Sequence, residues 1–163
     1  MKNKAVFLDR DGVINLDILT YTWRVQDFKI LEGVFESCRK FIEAGYKLIV
    51  ITNQGGIDRG MYGHSDVELL HDHLISLFAE QGIEILDIYY CPHYDKVGKC
   101  LCRKPGSLLV EKAVARFDID PAQSWFIGDR ERDIEAGRGA GVMNGILVEV
   151  NDDMRKVLPK MGL

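Results

Sequence analysis

The sequence lacks the features of a membrane protein, a secreted protein and a nucleic-acid-binding protein. No apolar run approaches the roughly 20 residues that a membrane-spanning helix needs. The apolar stretch at residues 5–8 is too short for the core of a signal peptide, although Lys2 and Lys4 flank its start. The 21 basic residues are outnumbered by 25 acidic ones, so the net charge is −4 and no broad basic surface is predicted. We therefore expect a cytoplasmic protein that acts without a membrane or a nucleic acid.

The sequence also lacks internal repeats, linkers and low-complexity tracts. Its 163 residues are enough for one domain with a proper core. A composition of 47% hydrophobic and 28% charged residues is ordinary for a globular protein. We expect a single domain that spans residues 1–163.

Apolar segments of strand length alternate along the chain with segments of helical spacing. The predicted strands cover residues 4–9, 47–52, 83–90, 124–127 and 145–150. The predicted helices cover residues 33–44, 65–80, 107–117 and 131–140, with a short helix in the tail. The second helix opens on a capping box, Ser65-Asp66-Val67-Glu68. Because the strands are apolar throughout, this alternation predicts an α/β fold with a doubly wound, Rossmann-like parallel sheet.

Some residues in the predicted helices that could carry chemistry receive structural interpretations. Cys38 is expected to be a small core residue. His64, His71 and His73 are expected on a solvated helix face. The spacing of His71 and His73 makes them a poor pair of metal ligands, because residues two apart do not share a helix face.

Polar residues follow three of the predicted strands, at the ends where ligands bind in such sheets. Asp9 and Asp11 end the first strand, Thr52 the second and Asp129 the fourth. Asp9 and Asp129 can hold Mg²⁺ through oxygen, while the Thr52 hydroxyl and the Lys104 ammonium can neutralise a phosphoryl group. One carboxylate can then act as nucleophile and a second can transfer protons. Taken singly, Asp129 is better explained as a helix N-cap and Lys104 as a surface lysine, but together these residues predict phosphoryl transfer.

The segment 91–106 contains the donors of a closed, four-coordinate zinc site: Cys91, His93, Cys100 and Cys102. The alternatives are a disulfide or free thiols, and the cytoplasmic setting disfavours the disulfide. The last of these donors, Cys102, is followed directly by Arg103 and Lys104. We therefore expect bound Zn²⁺ to fix the position of Lys104 rather than to take part in the chemistry.

Four short motifs contain the polar strand ends and the lysine: Phe7-Leu8-Asp9-Arg10-Asp11-Gly12-Val13, Ile51-Thr52-Asn53-Gln54, Arg103-Lys104-Pro105 and Ile127-Gly128-Asp129-Arg130-x-x-Asp133. They resemble the four motifs of the haloacid dehalogenase-like phosphatases. The resemblance implies that Asp9 is the nucleophile, that Asp11 is the general acid/base, and that Thr52 and Lys104 stabilise the phosphoryl group. The implied ligands of Mg²⁺ are Asp9, the backbone carbonyl of Asp11, and Asp129. Asp133 would be a supporting acidic residue.

A zinc segment directly before Arg-Lys-Pro resembles two groups of this superfamily, the D-glycero-D-manno-heptose 1,7-bisphosphate 7-phosphatases and the histidinol-phosphate phosphatases. The motifs at residues 11–15 and 52–60, with Tyr21-x-x-x-x-x-Asp27-Phe28, look more like the heptose group, which acts in carbohydrate metabolism. That resemblance implies removal of the 7-phosphate of the sugar bisphosphate.

The segments 10–32 and 91–106 are the only long insertions, so there is no room for a large cap domain. Those segments and the turn after the second strand must therefore set specificity. The expected substrate-binding residues are Asn53, Gln54, Gly55 and Arg103. A guanidinium such as that of Arg103 can bind the sugar or its second phosphate through two hydrogen bonds.

The histidinol-phosphate alternative stays open because the spacing between His93 and Cys100 is short, as also occurs in that group. An acidic pocket for its amine could come from Asp17, Asp58 or Asp95.

Two other classes also stay open. The first is a phosphatase that acts on a nucleic-acid end, which the acidic balance disfavours. The second is a non-catalytic, zinc-stabilised binding module, which would be expected to lack Asp9 or Asp129. The resemblance implies a monomer that acts on a small phosphorylated substrate.

Overall fold

Five parallel strands form one sheet in the computed structural model, which describes residues 1–163. The strands are β1 (Lys4–Leu8), β2 (Tyr46–Asn53), β3 (Asp87–Cys91), β4 (Trp125–Gly128) and β5 (Asn144–Leu147). The α-helices are α1 (Val34–Glu43), α2 (His64–Glu80), α3 (Leu108–Arg116) and α4 (Glu131–Gly139). Short 3₁₀ helices cover Val25–Asp27, Pro121–Gln123 and Met154–Met161. The strand order is β3-β2-β1-β4-β5.

Strand β1 lies at the centre of the sheet, and its residues from Ala5 to Leu8 are fully buried. Val6 and Leu8 belong to a hydrophobic cluster that includes residues of α1 and α2. Ala5 and Phe7 belong to a second cluster, which includes residues of α3 and α4. A strand covered on both faces has no polar side to present, which explains its unbroken apolar sequence. The predicted doubly wound parallel sheet is confirmed.

The sheet reverses its direction of winding between β1 and β4. The chain continues from β1 to β2 and β3 on one side, then returns across β1 to β4 and β5 on the other. A crevice forms at such a reversal, outside the carboxyl ends of the strands, and ligands bind there. Asp9 and Asp129 directly follow β1 and β4, so the fold places both residues at this crevice.

The start of α2 differs from the prediction. The helix begins at His64 with Gly63 as its N-cap, and the Asp66 carboxylate accepts a hydrogen bond from the Gly63 N–H at 2.8 Å. The predicted capping box at Ser65 is therefore wrong. The acidic side chain at the third helical position caps the backbone, and a glycine takes the place of the predicted serine.

The third strand is shorter than predicted, because it begins at Asp87 rather than at residue 83. Ile83 and Ile85 are buried in the core without being part of the sheet. Their apolar character therefore reflects packing, which a sequence pattern does not separate from strand formation. Similarly, β5 ends at Leu147 instead of residue 150.

Two further predictions are confirmed by the structure. Cys38 is fully buried in the core, and the tail forms a short helix, in this case a 3₁₀ helix. None of the helices combines the length and the apolar composition that crossing a membrane requires.

Candidate active site

A buried lysine lies among acidic side chains at the crevice. The Lys104 ammonium is 2.7 Å from Asp9 Oδ1 and 2.7 Å from Asp133 Oδ1, and it also donates to the Ile51 carbonyl at 2.7 Å. The side chains of Lys104, Asp9 and Asp133 are only 2%, 12% and 1% exposed. The lysine thus joins the end of β1 to the first turn of α4.

Negative charge exceeds positive charge in this cluster. Carboxylate oxygens of Asp9, Asp129 and Asp133 lie within 4.8 Å of one another. Burial raises the pKa of Asp9 well above its usual value, and although Lys104 lowers it, Asp133 and Asp129 raise it further. Burial also raises the pKa of Asp129. Burial lowers the pKa of Lys104, but Asp9 and Asp133 outweigh that effect and raise it overall. A set of hard oxygen donors with excess negative charge fits a divalent cation such as Mg²⁺.

Gly12 lets the backbone approach this cluster. Its φ of +85° lies in the left-handed region, and a Cβ at this position would lie 2.6 Å from Asp129 Oδ2. Only glycine combines this conformation with so close an approach. The turn after Asp11 therefore packs directly against Asp129.

Asp11 lies outside the acidic cluster, and its carboxylate is held by a separate hydrogen-bond network. Arg10 donates to Oδ1 at 2.9 Å and to Oδ2 at 3.0 Å. Asn15 Nδ2 donates to Oδ1 at 3.0 Å, and Gln54 Nε2 donates to Oδ2 at 3.0 Å. The two aspartates of the first motif therefore have different surroundings, since Asp9 contacts Lys104 and Asp11 contacts Arg10.

Arg10 and His71 are parts of the site that the sequence interpretation missed. The Arg10 side chain is fully buried, and its Nη1 lies 3.1 Å from His71 Nε2. His71 is only 6% exposed, so the predicted solvated face is wrong for this histidine. A signal was present, because Val67, Leu70, His71 and Leu74 have the spacing of one buried helix face.

The predicted substrate-binding residues at the end of β2 and in the turn after it hold other site residues in place. The Asn53 side chain accepts the Lys104 N–H at 3.0 Å and donates to the Lys104 carbonyl at 3.2 Å. Gln54 is fully buried and donates to Thr52 Oγ1 at 2.9 Å as well as to Asp11. A Cβ on Gly55 would lie 3.1 Å from the His93 carbonyl, so this glycine allows the turn to pack against segment 91–106.

Two neighbouring clefts open at the site. The first has a volume of about 140 Å³, and its lining includes all four predicted catalytic residues, Asp9, Asp11, Thr52 and Lys104, together with the predicted substrate-binding residue Asn53 and the predicted metal ligand Asp129. Asp17, Thr20 and Tyr21 of segment 10–32 also line it, as expected for a loop beside the site. The second cleft has a volume of about 370 Å³ and contains Arg103, together with Lys99 and Asp95. Lys104 and Arg132 line both clefts, so the two are adjacent.

The four predicted zinc ligands converge in segment 91–106. One donor atom from each of Cys91, His93, Cys100 and Cys102 lies within 4.8 Å of the others. The Sγ of Cys91 is 3.7 Å from that of Cys100 and 3.0 Å from that of Cys102, and His93 Nδ1 is 3.2 Å from Cys102 Sγ. Thiolates at 2.3 Å from a tetrahedral zinc ion would lie roughly 3.8 Å apart. The donor set and the Cys91–Cys100 separation fit Zn²⁺, whereas the Cys91–Cys102 separation is shorter than it would be around a bound ion.

The three loops around the clefts contact one another through Asp58 and Arg59. The Asp58 carboxylate accepts the Tyr94 N–H at 3.0 Å, and the Asp58 N–H donates to the Pro92 carbonyl at 3.2 Å. The Arg59 guanidinium lies 4.9 Å from the ring centre of Tyr94 and 5.7 Å from that of Tyr21. The turn after β2 thus connects segment 10–32 to segment 91–106.

The chain is similar to several curated phosphatases along most of its length. The HAD-hydrolase-like family model matches residues 101–161. The D-glycero-alpha-D-manno-heptose-1,7-bisphosphate 7-phosphatase of Campylobacter jejuni is 45% identical over 156 residues, which is 96% of this chain and 87% of that protein. The D-glycero-beta-D-manno-heptose-1,7-bisphosphate 7-phosphatase of Helicobacter pylori is 44% identical, over 91% of this chain and 86% of that protein.

A solved structure shares the fold at a level that also indicates common descent. The D,D-heptose 1,7-bisphosphate phosphatase of B. bronchiseptica, complexed with magnesium and phosphate, matches with a TM-score of 0.83 and 31% identity. The match covers 98% of this chain and 88% of that chain.

Proposed function

The chain belongs to the haloacid dehalogenase-like phosphatases, and from that membership we propose that it removes the 7-phosphate of D-glycero-D-manno-heptose 1,7-bisphosphate. The observation that carries the proposal is the cleft in which Asp9, paired with Lys104 at 2.7 Å, lies beside Asp11 and Thr52. This arrangement combines a nucleophile, a proton-transfer group and donors for phosphate oxygens in one place.

Asp9 is the proposed nucleophile. Its carboxylate attacks the phosphorus, so a bond forms between Asp9 and phosphorus while the bond from phosphorus to the sugar oxygen breaks. Asp11 gives its proton to the departing oxygen. In the second step Asp11 takes a proton from a water molecule that attacks the aspartyl-phosphate, which releases inorganic phosphate and restores Asp9.

Lys104 and Thr52 are the proposed donors to the transferring phosphoryl group. Gln54 donates to Thr52 Oγ1, so the hydroxyl proton of Thr52 remains free for a phosphate oxygen. Asp9, Asp129 and the Asp11 carbonyl would hold Mg²⁺. When bound, the ion supplies positive charge that stabilises the phosphoryl oxygens.

The proposed role of Zn²⁺, held by Cys91, His93, Cys100 and Cys102, is to shape the segment that carries Lys104. Lys104 follows the last of these ligands, Cys102, by two residues, and its backbone is held by the Asn53 side chain. The zinc ion and the Asn53 amide therefore act together to place the ammonium beside Asp9.

The charges of the larger cleft favour a sugar bisphosphate over histidinol phosphate. Its lining includes Lys99, Arg103 and Arg132 in addition to Lys104, whereas Asp95 is the acidic residue among them. This excess of positive charge suits a second phosphate group and opposes the amine of histidinol phosphate. The names of the relatives point to the same substrate class.

The test is a kinetic comparison of substrates with the zinc-loaded protein in the presence of Mg²⁺. The expected result is phosphate release from the α or β anomer of heptose 1,7-bisphosphate with a higher kcat/KM than from histidinol phosphate. The Asp9→Asn variant should keep its fold and lose phosphate release. The control variant Asp72→Asn changes an exposed residue of α2 and should release phosphate as wild type does. A better kcat/KM for histidinol phosphate would overturn the substrate assignment, and substantial turnover by Asp9→Asn would overturn the mechanism.

A further inference from the structure

The Arg10 side chain is a buried cation whose nitrogens all face polar partners. Its Nε and Nη2 donate to Asp11, and Nη2 also donates to the Thr22 carbonyl at 2.6 Å. Its Nη1 faces His71 Nε2 at 3.1 Å. The guanidinium therefore connects three parts of the chain, namely the first motif, segment 10–32 and helix α2.

His71 contributes the acceptor on the far side of this guanidinium. Arginine has donors only, so His71 Nε2 must accept, and the ring proton lies on Nδ1. Burial, followed by the charge of Arg10, lowers the pKa of His71 to about 3, so the ring stays neutral at neutral pH. The ring also packs edge-on against Tyr90, with 5.7 Å between ring centres. Its orientation is thus fixed by packing as well as by the hydrogen bond.

We propose that His71 is a positioning residue of the reaction, because it fixes the Arg10 guanidinium and through it the Asp11 carboxylate. This inference rests on the proposed function, in which Asp11 protonates the departing oxygen. His71 does not line the catalytic cleft, so it acts through Arg10 and not on the substrate.

Removal of the acceptor would leave a buried, charged donor without a partner. The guanidinium would then turn towards other acceptors, and the Asp11 carboxylate, bound to it at 2.9 and 3.0 Å, would move with it. General acid catalysis depends on the position of the acid to within about 1 Å. The loss should therefore appear in the step that protonates the departing oxygen.

A comparison of two substrates, one whose leaving group needs a proton and one whose leaving group does not, distinguishes this positioning role from a merely structural one. The 7-oxygen of the sugar is an alkoxide that needs a proton as it departs, whereas p-nitrophenolate is a stable anion that departs without one. For both substrates kcat/KM reports the steps up to departure of the leaving group. A misplaced Asp11 should therefore lower kcat/KM for the sugar bisphosphate far more than for p-nitrophenyl phosphate.

The variants are His71→Leu, which removes the acceptor, His71→Met, which leaves only a weak thioether acceptor, and His71→Gln, which keeps a strong one. We expect the two apolar variants to lose about tenfold or more in kcat/KM for the sugar bisphosphate, with little change for p-nitrophenyl phosphate. His71→Gln should restore most of the loss. His73→Gln, two residues along the same helix, is the matched control and should behave as wild type. Thermal melts verify that each variant is folded.

Asp11→Asn, measured alongside, distinguishes the possible failures. If Asp11→Asn shows the leaving-group pattern but a folded His71→Leu or His71→Met does not, the positioning role is wrong and the proposed function stands. An equal loss on both substrates, or no rescue by His71→Gln, would also overturn the positioning role. If Asp11→Asn retains turnover of the sugar bisphosphate, the assignment of Asp11 itself is wrong.

Discussion

Replacement of Lys104 by methionine tests the electrostatic balance of the acidic cluster. Lys104→Met keeps a long apolar stem and removes the ammonium that lies 2.7 Å from both Asp9 and Asp133. The carboxylates of Asp9, Asp129 and Asp133 then remain buried within 4.8 Å of one another without their lysine.

The magnitude follows from the burial of this ion pair. Removal of one partner from a buried pair costs about 3–5 kcal/mol, because the remaining charge is left uncompensated. The lysine side chain is 2% exposed and Asp133 is 1% exposed, so solvent screening relieves little of that cost. For a chain of this size 1 kcal/mol corresponds to roughly 2–4 °C in Tm, which gives an expected decrease of roughly 6–20 °C.

The assay is thermal unfolding of zinc-loaded protein without added magnesium. Lys112→Met on α3 is the control, since this lysine is exposed and its loss should leave Tm nearly unchanged. A second substitution, Asp133→Asn in the Lys104→Met background, should restore part of the stability because it removes one of the unpaired charges. Its amide oxygen can still accept the Arg130 N–H, which Asp133 now accepts at 3.0 Å.

The reasoning would be refuted if Lys104→Met melted within about 2 °C of wild type, since a shift that small corresponds to a surface ion pair. It would also be refuted if Asp133→Asn lowered Tm further in the Lys104→Met background. Either result would mean that Lys104 does not balance the cluster in the folded protein.

Two further predictions concern the zinc segment and His71. Removal of zinc with a chelator should lower both Tm and turnover, because segment 91–106 contains Lys104, and added Zn²⁺ should restore both. Unchanged Tm and turnover after verified loss of zinc would contradict the positioning role of the metal. The second prediction concerns stability at low pH. The pKa of His71 is about 3 in the folded protein and about 6.5 when unfolded, so below pH 6.5 only the unfolded chain binds this proton and stability falls as the pH falls. Between pH 7.5 and 5 the free energy of unfolding of wild type should therefore decrease by about 2 kcal/mol more than that of His71→Gln. Denaturant titration at each pH measures this difference. Parallel decreases in the two proteins would show that His71 is not buried in its neutral form.

The fold was predictable because its strands are simple in sequence. A fully buried parallel strand such as β1 has an unbroken apolar sequence, and glycine or polar residues mark where the chain leaves the sheet. The prediction failed at residues 83–86, where Ile83 and Ile85 are buried in the core without belonging to a strand. Apolar periodicity reports burial, and only the path of the backbone determines whether hydrogen bonds to a strand accompany it.

Asp9 and Asp129 were predictable because they directly follow β1 and β4, which pair in the sheet, whereas Asp133 lies in α4 and was expected only from the family resemblance. The supporting contacts were not, because they join residues far apart in the sequence. Arg10 and His71 are separated by 61 positions and meet only after α2 packs on the sheet. Asn53, expected to bind substrate, has its side chain bonded to the backbone of Lys104, 51 positions away. Such contacts depend on how elements pack, which local patterns do not encode.

The contacts of Asp58 and Arg59 bear on how this site can diverge in evolution. Loops on a rigid sheet are often regarded as modules that can be exchanged one at a time. Here the Arg59 guanidinium lies between the rings of Tyr21 and Tyr94. Asp58 forms hydrogen bonds to the backbone of segment 91–106 through both its carboxylate and its backbone N–H. A lengthened or shortened zinc segment would therefore disturb the other two loops as well. New specificities should arise through coordinated changes in all three loops, and a single transplanted loop should perform poorly until its neighbours adapt.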